Sequence, residues 1–504
     1  MTGQLSAAEE RFERIRQRAG LFLAPAAALV LWLLPIGELT ASAHRLLGVL
    51  GLVVVLWMTE ALPLPVTALL GPALCVLTGI ASARDVFHSF ADPIIFLFLG
   101  SFLLAEAMLH HGLNRRIAYQ ILGWRLVSST PGRLLAAFAA LTGFISMWIS
   151  NTATTAMMYP IAMSLLTELR REQQERHESG ASARYGTGLM LATAFAASIG
   201  GLGTPVGTPP NLIGLGLIEQ HLSLRLTFFQ WTCFGVPLAI VLVTLLVAYL
   251  NHVCPADKAA FTGSAAWLRG EQAGLGPVRR GELNVLAAFG LTVLLWLIPG
   301  ACALALGSED PTVKWLNQHF PEAIAALLGG LLLFILPTDL AKHQFTLGWN
   351  EAKRIDWGTI LLFGGGLALG DLMFSTGLAR WLGEKLVGIL HVHSTLGLVA
   401  LFTGTAICLS EATSNTASAT MIVPVAIAVA RAAGADPLGP ALGACLGASM
   451  GFMLPVSTPP NAIVYGSGCV PLIKMMKYGL LLDLIGFLVI VPTAAWFIPW
   501  LVRG

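Results

Sequence analysis

The stretch GFISMWISNTATTAMMYPIA, from Gly143 to Ala162, is an apolar run broken at its centre by the polar triplet Ser150, Asn151 and Thr152. Around it the chain is 56% hydrophobic and only 11% charged, far more apolar than an average soluble domain. Segments long enough to cross a bilayer as helices, roughly 17 to 25 residues, recur from Leu21 to the end. Nothing resembles the alternating strands of about ten residues that build an outer-membrane barrel. The composition therefore predicts an all-α polytopic membrane protein. In such a chain a polar break at depth needs a reason, because an unpaired backbone group in hydrocarbon is costly.

A formal net charge of +2, with no basic patch interleaved with aromatics, argues against a nucleic-acid partner. Cys75, Cys233, Cys254, Cys302, Cys408, Cys445 and Cys469 are scattered singly with no C-x-x-C pair, so they read as small hydrophobes. RIRQR, the apolar Leu21–Gly37 and then Ala41, Ser42 and Ala43 imitate a signal peptide. The apolar stretch exceeds the usual length of about 7 to 15 residues, however. It reads as a first transmembrane helix behind a cytoplasmic segment, residues 1–20.

Lys and Arg collect in cytoplasmic loops, which orients spans near 21–38, 45–62, 64–81 and 92–111 with the N-terminus inside. Asn114–Leu126 suits an amphipathic interfacial helix. The segment Gly132–Leu166 has basic residues beyond both ends, so it reads as a re-entrant hairpin open to the cytoplasm, with the triplet near its tip. A span over Tyr185–Ile218 is broken at GGLGTPVGTPPN, and one over Trp231–Leu250 returns to a loop holding Lys258, Arg269, Arg279 and Arg280. Spans near 284–306, 321–338 and 357–376 follow. A second hairpin, Thr395–Ala430, then enters from the outer face, a span from Leu438 is broken at LPVSTPPN, and a last helix lies near 479–501. This makes eleven spans and two hairpins, with the C-terminus outside.

The opening triplet recurs 264 residues later as Ser414, Asn415 and Thr416. The same offset maps Ser146 onto Ser410, Pro160 onto Pro424 and Asp92 onto Asp356, while TPPN at Thr208–Asn211 returns 250 residues on at Thr458–Asn461. The difference falls in the long charged loop Glu168–Arg184 of the first half, where an indel is tolerated. Two copies, about 45–251 and 284–501, thus carry hairpins of opposite sidedness. Inverted repeats with broken helices meeting near the midplane are the architecture of secondary transporters.

Non-helical backbone at depth survives where it is buried in protein or lines a polar cavity. In TPPN the prolines suit the first turn of a helix, so each motif ends one half-helix and starts another. Carbonyls and Ser/Thr hydroxyls of the four motifs offer hard oxygen ligands to a small cation, and half-helix N-termini favour an anion. None of the four motifs contains Lys or Arg. An anion there must be neutralised by dipoles, amides, hydroxyls and co-bound cations, which ties the two bindings together as in symport.

SMWISNTATTAMMYPIA, GTPVGTPPN, SEATSNTASAT and LPVSTPPNAI resemble the divalent anion/sodium symporter (DASS) family, carriers of dicarboxylates, citrate or sulfate, over nearly the whole chain. The resemblance implies an elevator-type homodimer in the cytoplasmic (inner) membrane, with transport-domain parts about 132–218 and 394–470 and Na+ as coupling ion without an organic cofactor. Matched by motif, Ser146, Ser150, Asn151 and Gly207 correspond to a first sodium site, and Ser410, Thr413, Asn415 and Ser457 to a second. Ser150, Asn151, Thr152, Thr208, Pro209, Ser414, Asn415, Thr416, Thr458 and Pro459 correspond to the substrate site. The implied activity is sodium-coupled symport of a C4-dicarboxylate. A sodium-independent exchanger and a sodium/sulfate symporter are alternatives on the same fold.

Other polar residues have competing readings. Glu411 either shapes the second ion site or serves as a structural hydrogen-bonding group. Glu106 and Asp371 are intramembrane acids, functional by default or bonding neighbouring helices. His110 and His111 sit beside the basic helix without an H-x-x-H partner and read as interfacial rather than metal-binding. Gly201-x-Gly203 lacks the full dinucleotide spacing, and Gly364, Gly365 and Gly366 suit close helix packing. A membrane enzyme would need a nucleophile–base pair or metal cluster near the midplane, which the motifs do not supply.

Overall fold

A computed structural model describes residues 7–124, 126–127, 130–175, 181–255, 264–307 and 309–503. Lys258 and residues 176–180 of the charged loop, like Arg125 and residues 1–6, lie outside these. The described chain is helical apart from one short antiparallel pair, Pro337–Asp339 with Gln344–Phe345. Eight of its helices are long and apolar enough to span a bilayer. Six match expected spans: Ala41–Thr59, Pro93–His111, Phe228–Val253, Arg280–Leu306, Trp357–Ser375 and the last, Leu472–Val502. The other two are the arms of the second hairpin, Thr395–Ala412 and Asn415–Ala432.

One helix runs unbroken over Ala7–Leu33, joining the described part of the N-terminal segment to the first span. Its charged first turns are good helix formers, and Arg16 pairs there with Glu13 at 2.8 Å and with Glu60 at 3.3 Å. The span near 321–338 stops at Leu332, and the chain turns into the β pair. Pro337 can neither donate a helical bond nor tolerate a helical residue before it. An amphipathic helix, Leu378–Leu390, also lies between the span near 357–376 and the second hairpin, where no element was expected, and is the repeat counterpart of Leu113–Leu122. It ties back to the loop after the first long helix, where Trp381 and Lys385 donate to Glu38 at 2.8 and 3.0 Å. The hydrogen bond from Lys385 holds the Glu38 carboxyl below its usual range.

The repeat is visible in local chemistry. Asp92 caps Pro93–His111 by accepting from the Ile94 amide at 2.9 Å, and Asp356 caps Trp357–Ser375 by accepting from Thr359 at 3.0 Å. Gly364–Gly366 does allow close packing, since a Cβ on Gly365 would stand 2.1 Å from the Ala68 carbonyl oxygen. The two halves also interlock. Pro209–Leu222, which follows the first TPPN break, packs on Asn415–Ala432 of the second hairpin, and Pro459–Tyr465 packs on Asn151–Glu175 of the first. Every residue from Tyr185 to Thr208 is buried, as is every residue from Leu438 to Phe452. The helices that lead into the two breaks therefore form the centre of the molecule.

Candidate functional site

Each hairpin breaks where the sequence places a polar triplet. Pro131–Ser146 ends and Asn151–Glu175 begins at the first tip; Thr395–Ala412 ends and Asn415–Ala432 begins at the second. The triplet serines start the outgoing arms as N-caps. Ser150 Oγ accepts from the Ala153 amide at 3.3 Å and Ser414 Oγ from Ala417 at 3.2 Å, the role in which serine outperforms alanine by about 1 kcal/mol.

The asparagines turn inward. Asn151 Oδ1 lies 2.8 Å from Ser146 Oγ, and Asn415 Oδ1 lies 2.6 Å from Ser410 Oγ. At the first tip the break loop closes in from the other side. A Cβ on Gly201 would stand 2.5 Å from Asn151 Oδ1, and one on Gly207 would stand 3.0 Å from the Ser146 carbonyl oxygen. At the second tip Ser410 Oγ also lies 2.8 Å from the Ala448 carbonyl. One hydroxyl proton cannot serve two acceptors at once. Neutral hydroxyl, amide and carbonyl oxygens drawn together at the end of two half-helices are the donor chemistry of a hard monovalent or divalent cation. The residues present thus fit a sodium ion at both tips.

The breaks themselves are clamped by a residue whose role sequence reading missed. Asn211 Nδ2 donates to the carbonyls of Gly201 and Thr204, both at 2.8 Å, while Asn461 Nδ2 donates to those of Gly451 and Leu454, both at 3.0 Å. The fourth letter of TPPN therefore satisfies the backbone that the prolines interrupt. Its recurrence in both copies was the available signal.

The two junctions differ in one respect. In the first, the Thr204 hydroxyl donates to the Met147 carbonyl. In the second, the position of Met147 is held by Glu411, whose carboxylate accepts from the amides of Phe452 at 2.5 Å, Met453 at 2.8 Å and Leu454 at 3.1 Å and from Ser457 Oγ at 2.6 Å. Glu411 is thus a hydrogen-bonding group that also sets a negative charge beside the second junction. It commits the Ser457 hydroxyl, and Thr413 Oγ1 is likewise turned away, donating to the Trp57 carbonyl at 3.0 Å. Ser457 and Thr413 can meet a cation there chiefly through other atoms.

The tips differ in access as well. Thr152, Ala156, Pro160 and Ser164 form an exposed strip down the outgoing arm of the first hairpin, and Pro459 and Ala462 are exposed beside it. These residues are small or polar, unlike a lipid-facing surface. Their counterparts Thr420, Pro424 and Ala428 are buried. Helices Trp357–Ser375 and Leu378–Leu390 cover them so closely that a Cβ on Gly366 would lie 2.3 Å from Thr420 Cγ2, and one on Gly383 would lie 2.6 Å from the Ala428 carbonyl oxygen. Ser414, Asn415 and Thr416 stay half-buried, Pro209 is half-buried, and Thr208 and Thr458 are buried. Among the remaining candidates, His111 Nε2 bonds the Thr346 carbonyl at 2.6 Å.

Paired polar junctions inside a membrane-spanning helical bundle are the build of a membrane transporter. The chain belongs to the divalent anion/sodium symporters: a model of the sodium:sulfate symporter transmembrane region matches residues 16–503. It is 34% identical over 446 residues, 88% of this chain and 84% of the relative, to the sodium-dependent dicarboxylate transporter SdcS of Staphylococcus aureus strain USA300. The SdcS protein of strain MRSA252 matches to the same extent. The fold is similar to that of the YdaH transporter of Alcanivorax borkumensis, with a TM-score of 0.53 at 14% identity over 82% of this chain and 87% of that one. The protein is accordingly a multi-pass membrane transporter and not an enzyme.

Proposed function

We propose that the protein is a sodium-coupled symporter of a C4-dicarboxylate such as succinate, malate or fumarate, acting in the cytoplasmic membrane as an elevator-type homodimer. The observation that carries this reading is the matched pair of Ser–Asn oxygen junctions, 2.8 and 2.6 Å wide, set at helix breaks. With no Lys or Arg in the four motifs, the anion depends on co-bound cations for neutralisation, which makes coupling a physical necessity rather than an addition. The sodium-dependent dicarboxylate relatives support the choice of ion and substrate. In this reading sodium is held by Ser146, Ser150, Asn151 and Gly207 and by Ser410, Thr413, Asn415 and Ser457. The substrate carboxylates lie against Ser150, Asn151, Thr152, Thr208 and Pro209 and against Ser414, Asn415, Thr416, Thr458 and Pro459. Uptake of labelled succinate into proteoliposomes decides the matter: an inward sodium gradient should drive accumulation. Uptake indifferent to sodium and dependent on internal dicarboxylate would identify an exchanger, and competition by sulfate alone would move the substrate class.

The unequal access of the two hairpins supports alternation between states. Both tips are read as re-entrant, and the open strip leads toward Arg170 and Arg171, the side that the positive-inside rule assigns to the cytoplasm. An impermeant maleimide applied from that side should modify Ala156→Cys and Ser164→Cys readily, leaving Thr420→Cys and Ala428→Cys protected. External sodium and substrate should expose the second pair from outside. Equal labelling of both pairs in every condition would defeat the elevator reading.

A further inference from the structure

The tip of the second hairpin is gripped from the first two long helices, Ala7–Leu33 and Ala41–Thr59. Arg16 Nη1 donates to the Ala412 carbonyl at 3.3 Å, and Thr413 Oγ1 donates to the Trp57 carbonyl at 3.0 Å. The Arg16 guanidinium is braced by two carboxylates. Its Nη2 donates to Glu13, one turn earlier on the same helix, at 2.8 Å and lies 3.3 Å from Glu60 Oε2. Glu60 ends Ala41–Thr59 in the left-handed region, with a φ of 47°, a conformation uncommon for any residue but glycine. The two helices meet here without spare room, since a Cβ on Gly20 would stand 2.0 Å from Thr59 Oγ1. With its side chain only 15% exposed, Arg16 makes bonds that are largely shielded from water.

Ala412 is the last residue of the incoming arm, Thr395–Ala412. The final carbonyls of a helix have no partner inside it, and a cation at that end is favoured by the helix dipole. A guanidinium on the Ala412 carbonyl answers both needs, beside Ser410 of the second junction. The matching position of the first tip, Trp148, meets Phe289 by ring packing instead. Arg16 and Trp57 belong to the part read as scaffold, and Ala412 and Thr413 to the part read as transport domain. Both bonds therefore cross the boundary along which an elevator moves, and a hairpin that slides past these helices has to give them up. We propose that Arg16 is a positioning residue for transport: its guanidinium, braced by Glu13 and Glu60, holds the second hairpin tip on the first two helices in the conformation whose cytoplasmic strip is open, and each transport cycle breaks and remakes this contact.

This inference rests on the elevator reading for the direction of movement, and the experiment separates the two. Without sodium, an impermeant maleimide applied from outside should label Thr420→Cys about fivefold faster when Arg16→Gln is added, the scale of one lost hydrogen bond from a charged donor. Arg16→Lys keeps the charge and a donor and should stay within about twofold of Thr420→Cys alone. In a second measurement, a short bifunctional thiol reagent bridges Arg16→Cys and Ala412→Cys through disulfides. The bridge should stop uptake of labelled succinate and reduction should restore it, while neither single variant is arrested by the reagent. Where external sodium and substrate expose Thr420→Cys in the chain that keeps Arg16, unchanged labelling in Arg16→Gln overturns the proposal. Labelling of Arg16→Lys as fast as that of Arg16→Gln also overturns it, because the contact would then be one of packing and not of a charged donor. Bridged protein that transports at the unbridged rate overturns it too, since the contact then never opens. If Thr420→Cys stays protected even with external sodium and substrate, the elevator reading fails, and the bridge still decides whether the contact opens during transport.

Discussion

Alanine at Asn151 or at Asn415 should lower sodium-driven uptake by about 100-fold or more, the upper range for loss of a group that orients a metal ligand. Each substitution removes the amide oxygen that sits 2.8 Å from Ser146 Oγ or 2.6 Å from Ser410 Oγ. It also removes the amide nitrogen available to a substrate carboxylate at the start of a half-helix. The capping serines remain, with their bonds to Ala153 and Ala417, so the outgoing arms should still form and the protein should elute as a monodisperse species. Proteoliposome uptake against sodium concentration gives the measurement. Near-wild-type transport in either variant would reduce the tips to structural kinks.

The second large effect concerns Glu411. Alanine there would leave the amides of Phe452, Met453 and Leu454 without their carboxylate acceptor, while Ser457 Oγ would keep the backbone carbonyl of residue 411 at 3.2 Å. At about 1–3 kcal/mol for each orphaned group, destabilisation of about 3 kcal/mol follows, enough to lower the thermal midpoint. Glutamine is the sharper probe. It keeps one carbonyl oxygen for the amides but turns an NH2 group toward donors and removes the charge beside the second junction. Glu411→Gln should fold and yet require far more sodium for activation. The first junction uses a threonine hydroxyl on a carbonyl instead of a carboxylate, so Thr204→Val should shift sodium activation much less. Unchanged sodium activation in Glu411→Gln would show that the charge serves the loop alone.

Much of this was legible in the chain. The apolar runs, the 264- and 250-residue offsets and the SNT and TPPN strings located both hairpins and both breaks, because polar or proline-bearing interruptions in a greasy helix have few physical excuses. The same reading lost Leu378–Leu390, since an amphipathic interfacial helix carries too little apolar length to stand out beside transmembrane spans. It also extended the span near 321–338 past its end at Leu332, where apolar composition continued but Pro337 did not permit a helix.

Sequence alone determined the membrane class, the duplicated pattern and the residues at the four motifs, because these follow from hydrophobic length and from recurrence along one dimension. Only the tertiary structure decided how the motifs are wired. That Asn211 and Asn461 clamp the breaks, and that Glu411 supplies an acceptor where the first copy has a backbone carbonyl, depends on contacts between elements. So does the open strip at Ala156 beside its covered counterpart at Thr420. Two nearly identical strings differ in partner and access because packing against neighbouring helices, rather than local composition, sets which polar groups are satisfied and which are left exposed.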